Sequence, residues 1–217
     1  MQAVILAAGK GARLRPLTHE IPKPLINIGG KTLLEHALSA LPDSIDEIFI
    51  VVNHLREQII DALGAQWQNI PIRYVIQEPL SGTAGATLLL REHLHGSFLV
   101  INSDDLYLKE DLERLISYPR SILVSESETY LEAGAQIKQD RFTGLGPGNF
   151  AVCGAYVIGP EFFEVEPVEI FVSSHREYGL PQTLAHLVDK IHITTIKATS
   201  WRQVGTYEEL ETVRQQP

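Results

Sequence analysis

Short apolar runs alternate with amphipathic stretches along the first half of the chain. Ala3 to Ala8 is a continuous apolar run closed by Gly9, the pattern of a strand buried on both faces of a parallel sheet. The runs Ile48–Val52, Ile72–Ile76 and Phe98–Ile101 repeat it. Between them lie helical periods. Thr32 to Leu41 puts Leu33, Leu34, Ala37, Leu38 and Leu41 on one face, Leu55 to Leu63 ends at Gly64, and Thr83 to Leu94 makes a third helix. The alternation predicts βαβ units, and so an α/β fold: a three-layer, doubly wound, mostly parallel sheet. Such sheets bind ligands beyond the carboxyl ends of their strands. Gly9–Arg13, Gln77–Thr83 and Asn102–Asp105 follow the first, third and fourth predicted strands, so one shared site is expected there.

The second half is less regular. Ala135–Lys138, Ala151–Ile158 and Ile191–Ala198 read as strands, and Leu180–Val188 as a helix with Pro181 in its first turn. Thr32 with Glu35, and Thr206 with Glu209, are capping boxes that open helices. Neither a repeat nor a low-complexity linker interrupts the pattern, and no hexapeptide β-helix period follows residue 200, so residues 1–217 read as a single domain.

Composition narrows the chemistry. The chain has 217 residues, 44% of them hydrophobic, with a formal net charge of −9. That balance argues against nucleic acid as a partner, because phosphate backbones call for a basic surface. It leaves room for a small nucleotide, which needs only a local positive pocket. With one cysteine, Cys153, no internal disulfide is possible, and a reducing cytoplasm is the expected compartment. Cys153 lies in an apolar run and reads as a small core residue. The apolar runs all fall short of the roughly 18 residues of a membrane span, so no membrane is expected. His93 and His95 fall on different faces of a helix, no His–carboxylate spacing suggests zinc, and a serine nucleophile elbow is missing.

The candidate chemistry begins at the first strand. Gly9 and Gly11 let the backbone turn sharply and point free N–H groups at a ligand, with Arg13 two residues on. Lys23 stands between Pro22 and Pro24, which stiffen the segment that presents it. A glycine loop, an arginine and a rigidly presented lysine suit a polyanionic phosphate chain. Leu14 stands where a dinucleotide fingerprint needs its third glycine, and Leu25 where a P-loop ahead of Gly30-Lys31-Thr32 needs its first.

The stretches Leu6-Ala-Ala-Gly-Lys-Gly-Ala-Arg-Leu-Arg-Pro-Leu-Thr18, Pro22-Lys-Pro24 and Gly30-Lys-Thr-Leu-Leu-Glu35 resemble, in order and spacing, the opening of the sugar-1-phosphate nucleotidylyltransferases, or NDP-sugar pyrophosphorylases. The resemblance implies a Rossmann-like nucleotidyltransferase fold. It also implies transfer of a nucleotidyl group from an NTP to a sugar 1-phosphate, with release of pyrophosphate and with Mg²⁺ as cofactor. By matching position it assigns Arg13, Lys23 and Asp104 to catalysis, and Leu6, Ala8, Gly9, Gly11, Gln77, Gly82 and Thr83 to the nucleotide. Gln77, in Gln77-Glu-Pro-Leu-Ser-Gly-Thr83, would read the base edge with an amide that both donates and accepts. Asp104, in Asn102-Ser-Asp-Asp105, falls on the metal-binding aspartate, with Asp105 left to cap the helix near Lys109. Gly134, Gly154, Tyr156 and Glu177 fall on or near sugar-contacting positions.

Two departures touch the acceptor half. The family's Glu-Lys-Pro lysine, which grips the sugar phosphate, has no counterpart in Phe142–Gly148. The second metal aspartate of Trp-x-Asp-x-Gly-Thr is Gln203 here, in Trp201-Arg-Gln-Val-Gly-Thr206, so the implied metal ligands are Asp104 and Gln203. These departures keep two alternatives open: a cytidylyltransferase acting on another phosphorylated small molecule, and a weakly active or inactive nucleotide-binding homologue. The expected partners are an NTP and a sugar 1-phosphate, and a homo-oligomer is left open.

Overall fold

The structure, a computed structural model, describes residues 1–172 and 175–215. In chain order the first half runs β1 (Gln2–Leu6), a two-residue ladder of β2 (Asn27–Ile28) with β3 (Lys31–Thr32), α1 (Leu33–Ser39), β4 (Glu47–Val52), α2 (Arg56–Leu63), β5 (Gln66–Trp67), β6 (Ile70–Ile76), α3 (Gly82–Leu88), β7 (Phe98–Asn102), β8 (Asp105–Tyr107) and α4 (Lys109–Ile116). The second half runs β9 (Ser121–Lys138), β10 (Arg141–Ile158), the hairpin β11 (Glu169–Val172) and β12 (His175–Tyr178), α5 (Leu180–Ala185), β13 (Thr194–Lys197), β14 (Trp201–Gln203) and α6 (Tyr207–Arg214).

Eight strands form the main sheet in the order β13-β9-β10-β7-β1-β4-β6-β5. β1 is central and parallel to both β4 and β7, and β6 is parallel to β4. β10 runs antiparallel to β7 and β9, β13 is parallel to β9, and β5 opposes β6. All but β5 and β10 therefore point one way, the mostly parallel sheet that the alternating pattern predicts.

The side-chain period of a strand builds the layers. Ala3, Ile5, Ile48, Ile50, Leu99 and Ile101 face one side with Leu34 and Leu38 of α1, Ile59 of α2, and Leu112 and Leu115 of α4. Val4, Phe49, Val51, Phe98 and Val100 face the other, with Ala84 and Ala86 of α3, and Leu180 and Leu184 of α5. Each fully buried aliphatic side chain contributes about 1.5–3 kcal/mol relative to exposure. A third cluster joins the chain's two ends: Leu14, Ile26, Ile28 and Leu33 pack on Val204, Leu210 and Val213. Thus α6 props the loop that follows β1. Both capping boxes form: Thr32 and Thr206 accept from the backbone of Glu35 and Glu209, whose carboxylates reach back.

Several expected boundaries shift. The helix over 83–94 is α-helical only as Gly82–Leu88, after which Leu90 N bonds Thr87 O and His93 N bonds Leu90 O, the tighter i,i+3 pattern of a fraying end. The strands expected at 135–138 and 151–158 are the ends of 18-residue strands, whose pairing is broken by register shifts, with Gly144, Gly146 and Gly148 in β10, so the alternation is hidden. The cap expected of Asp105 is corrected: the N-cap of α4 is Leu108, with no side-chain cap, and Asp105 is buried within β8. Cys153 is fully buried in the core, as its apolar run predicts. Among the described residues no helix is long and apolar enough to cross a membrane.

Candidate functional site

The loop after β1 turns at Gly11, whose φ of 61° lies in the left-handed region. A Cβ there would also fall 2.9 Å from Thr18 Cγ2, and Thr18 Oγ1 donates to the Gly11 carbonyl at 2.8 Å. Glycine at 11 therefore meets both a conformational and a packing demand. Leu14 then buries itself against α6, anchoring the loop. Pro22, with φ −62°, leads into a 3₁₀ turn over Lys23–Leu25, and Lys23 is 8% exposed.

The loop after β7 lies alongside. Ser103 N extends the ladder to Leu6 O at 3.1 Å, and the next residue, Asp104, ion-pairs with Lys23. After β6, Gln77 N bonds Val52 O at 2.9 Å, and the Gln77 amide nitrogen donates to Ser81 Oγ at 3.0 Å and Gly82 O at 2.9 Å. With both amide protons spent on its own loop, Gln77 is left with its carbonyl oxygen to accept from a ligand. That loop is stitched to β12 and α5: Tyr178 N bonds Ser81 O at 2.8 Å and Leu180 N bonds Thr83 Oγ1 at 2.9 Å.

These loops enclose a cavity of about 720 Å³, within the range of small-ligand sites. Of the residues expected at a site, Leu6, Ala8, Gly9, Gly11, Lys23, Gln77, Gly82, Thr83, Asp104 and Glu177 line it. Lys10, Asn102 and Ser103, inside two of the segments expected there, line it too, and so do Arg15, His175 and Arg176, which the sequence did not single out. Lys10 and Arg15 carried a legible signal, being cations inside and just beyond the glycine pair. On β12 only Glu177 was expected, since its hairpin shows no apolar period that would mark His175 and Arg176. Lys10, Arg15, Lys23 and Arg176 face Asp104 and Glu177, a local cationic excess in an acidic chain.

Five expected residues do not line the cavity. Arg13 lies over Gly205, where a Cβ would come 2.7 Å from its Nη2. Tyr156 is 4% exposed and packs in the core, where burial pushes its phenol pKa up. Gly134 sits on β9 against the Phe150 carbonyl, 2.9 Å from where a Cβ would be. Gly154 backs the Asn102–Asp105 pair, and a Cβ there would fall 2.0 Å from Asn102 Nδ2. Gln203 is solvent-exposed in β14, directly opposite Asp105, while Val204 N bonds Asp104 O at 3.2 Å.

Behind the cavity, Asp105 Oδ2 accepts from Asn102 Nδ2 at 3.0 Å and Tyr107 OH at 3.2 Å, and Oδ1 is buried with no partner among the described residues. Burial, and then the Asp104 charge, raise the Asp105 pKa to about 7 against the hydrogen bond from Asn102. Among the described residues no three His, Cys, Asp or Glu side chains gather into a self-sufficient metal centre. The donor set does fit Mg²⁺ of another kind. Asp104 presents one hard carboxylate in a cationic cavity sized for a nucleotide, and Mg²⁺ commonly takes one or two carboxylates with phosphates and water.

The sequence model of a family described as "Nucleotidyl transferase" matches residues 2–122. The chain is 32% identical over 216 residues to the bifunctional protein GlmU of Methanocaldococcus jannaschii, covering 94% of this chain and 51% of that protein. It thus spans about half the length of the GlmU proteins it matches. To the UTP–glucose-1-phosphate uridylyltransferase AglF of Haloferax volcanii it is 28% identical over 241 residues, covering 99% of this chain and 96% of that one. Two solved structures share the fold. The inositol-1-phosphate CTP transferase from T. maritima has a TM-score of 0.79 at 17% identity, covering 99% and 94% of the two chains. A UDP-glucose pyrophosphorylase complexed with UDP-glucose has 0.77 at 20%, covering 99% and 97%. The matched span holds β1 and its glycine loop, the twin-proline lysine, the Gln77 loop and Asp104, all of which line the cavity, and the chain belongs to the nucleotidyl transferase family.

Proposed function

We propose that this protein transfers a nucleotidyl group from an NTP to a sugar 1-phosphate, with Mg²⁺, giving an NDP-sugar and pyrophosphate. One observation carries the proposal: the loops leaving the carboxyl ends of β1, β6 and β7 meet Lys23 around a single cavity lined by cations and by one metal-suited carboxylate. The backbone of Gly9–Gly11 cradles phosphate, Lys10, Arg15 and Lys23 neutralise it, and the Gln77 carbonyl accepts a hydrogen bond from the base. Glu177 faces the acceptor with a carboxylate suited to sugar hydroxyls. A phosphate oxygen of the acceptor attacks the α-phosphorus. That P–O bond forms as the bond to the bridging oxygen of the β-phosphate breaks, and pyrophosphate leaves with the electron pair. No protein nucleophile takes part, so the chain's work is positioning and charge stabilisation. Asp104 would hold Mg²⁺, which would supply further positive charge to stabilise the phosphates in the transition state.

A second acceptor class is favoured by one observation. No lysine from Phe142–Gly148 reaches the cavity, because that segment carries none and pairs with β9. This fits a cytidylyltransferase acting on another phosphorylated small molecule. Pyrophosphate release across four NTPs and a panel of sugar 1-phosphates and alcohol phosphates tests both readings, with UTP and glucose 1-phosphate as the first pair. Release with a sugar 1-phosphate supports the main proposal, and release with CTP and an alcohol phosphate alone moves the assignment to the second. Nucleotide binding with no release for any acceptor replaces both with a binding protein.

A further inference from the structure

Asp104 is the carboxylate that the cavity offers a divalent cation, and a cation from the chain itself sits on it. The Lys23 ammonium and an Asp104 oxygen form an ion pair across 81 residues of sequence. The Lys23 side chain is 9% exposed and that of Asp104 27%, so solvent screens the pair only in part. Lys23 is Asp104's one ion-pair partner among the described residues. Its backbone is held: Pro22 and Pro24 flank it, Leu25 N bonds Pro22 O at 2.8 Å, and Ile26 N bonds Lys23 O at 3.1 Å. Only the four-carbon stem is free to swing the ammonium.

We propose that Lys23 is the internal counter-ion of Asp104, which holds the carboxylate against free divalent cations and releases it only when a polyphosphate arrives to take the ammonium. This rests on the reading that nucleotide and metal share the cavity. The charges give the reason. A dication approaching the neutral Lys23–Asp104 pair meets one attractive and one repulsive charge at nearly the same distance, so its net gain is small. A triphosphate reverses the balance, since it binds the lysine and brings its own oxygen ligands to the metal. Metal and nucleotide then enter together, and the coupling is reciprocal: whatever factor the nucleotide gives the metal, the metal gives the nucleotide.

Mn²⁺, a paramagnetic stand-in for Mg²⁺, reports this without turnover. Free Mn²⁺ is measured by electron paramagnetic resonance during titration of the whole protein with no nucleotide present. Lys23→Met should bind Mn²⁺ at least tenfold tighter than the wild type, Lys23→Arg should resemble the wild type, and adding Asp104→Asn to Lys23→Met should erase the gain. On the wild type, a non-hydrolysable α,β-imido NTP should tighten protein-bound Mn²⁺ by at least tenfold beyond the Mn²⁺–nucleotide complex measured without protein, a measurement independent of any variant's folding. Equal nucleotide-free affinity in the wild type and in a folded Lys23→Met would overturn the counter-ion role, as would tight Mn²⁺ binding by the wild type alone. If none of the four imido-NTPs binds, the nucleotide reading fails. The nucleotide-free comparison of Lys23→Met with the wild type still decides the counter-ion role in that case.

Discussion

Gly82 and Tyr178 touch backbone to backbone: a Cβ on Gly82 would lie 2.6 Å from the Tyr178 carbonyl oxygen and 2.8 Å from its nitrogen. The same Cβ would meet Glu177 Cβ at 2.8 Å, and Gly82 holds φ at +80°. Gly82, in the cavity-lining loop after β6, is also the seat of β12, the strand that brings Arg176 and Glu177 to the cavity. The wall formed by the loop after β6 and the wall carrying Glu177 are therefore one packed unit.

Gly82→Ala should cost about 1–3 kcal/mol, because it combines a strained φ with overpacking against backbone that cannot step aside. Denaturant midpoints measure the loss, and NTP binding should weaken in the same variant as β12 is pushed from the loop. An unchanged midpoint would mean that the hairpin simply moves away, and that Gly82 does not seat it.

Asp104→Asn should lower metal-dependent turnover by roughly a hundredfold or more, since a charge at the metal is worth several kcal/mol in the transition state. The melting temperature without ligand should fall only modestly, because the carboxylate caps no helix and an amide oxygen at 104 can still accept from the buried Lys23 ammonium, although that ammonium loses its counter-charge. Steady-state rates against Mg²⁺ concentration, read beside a thermal melt, provide the check. A large drop in melting temperature with an unchanged Mg²⁺ response would assign Asp104 a structural task instead.

Gln203→Asp should raise turnover several-fold and lower the Mg²⁺ needed for half-maximal rate. Gln203 stands opposite Asp105 in the β8–β14 ladder, and its neighbour Val204 bonds the Asp104 carbonyl, so a carboxylate at 203 adds negative charge beside the metal position. The comparison is again a Mg²⁺ titration of rate. Identical curves for the two proteins would show that Asp104 and the nucleotide phosphates hold the metal unaided.

Glu35 links acid stability to the capping box of α1. Hydrogen bonds from the Thr32 backbone and side chain hold its carboxyl below the usual value of 4.5, against the opposing effect of burial. A lowered folded-state pKa contributes stability that is present above the unfolded value and lost as pH falls through the folded one. Glu35→Gln should therefore leave a smaller drop in urea midpoint between pH 6 and pH 3 than the wild type shows. If the two acid limbs run parallel, the carboxylate form of the box contributes nothing to α1.

Local chemistry was legible in the amino-acid sequence itself. β1, β4 and β7 announced themselves because strands buried on both faces have nowhere to place polar residues, and the two capping boxes because a cap is settled within four residues. The glycine loop and the twin-proline lysine were legible for the same reason: what they do to the backbone depends on their immediate neighbours. The middles of β9 and β10 were not, since register shifts between them, and the glycines of β10, erase the two-residue period there. Packing across distant segments decided the rest. Arg13 and Arg15 stand two apart in one loop, yet Arg15 lines the cavity while Arg13 lies over Gly205, because burial of Leu14 against α6 fixes how the turn is rotated. Tyr156 sits in the core rather than on the cavity wall, since its place in β10 opposite Val100 turns it toward the buried face. The Lys23–Asp104 pair spans 81 residues, and the contact of Gly82 with Tyr178 joins the two halves of the chain. Contacts of that range leave no local pattern, because the partner that selects them is set by the register of the sheet.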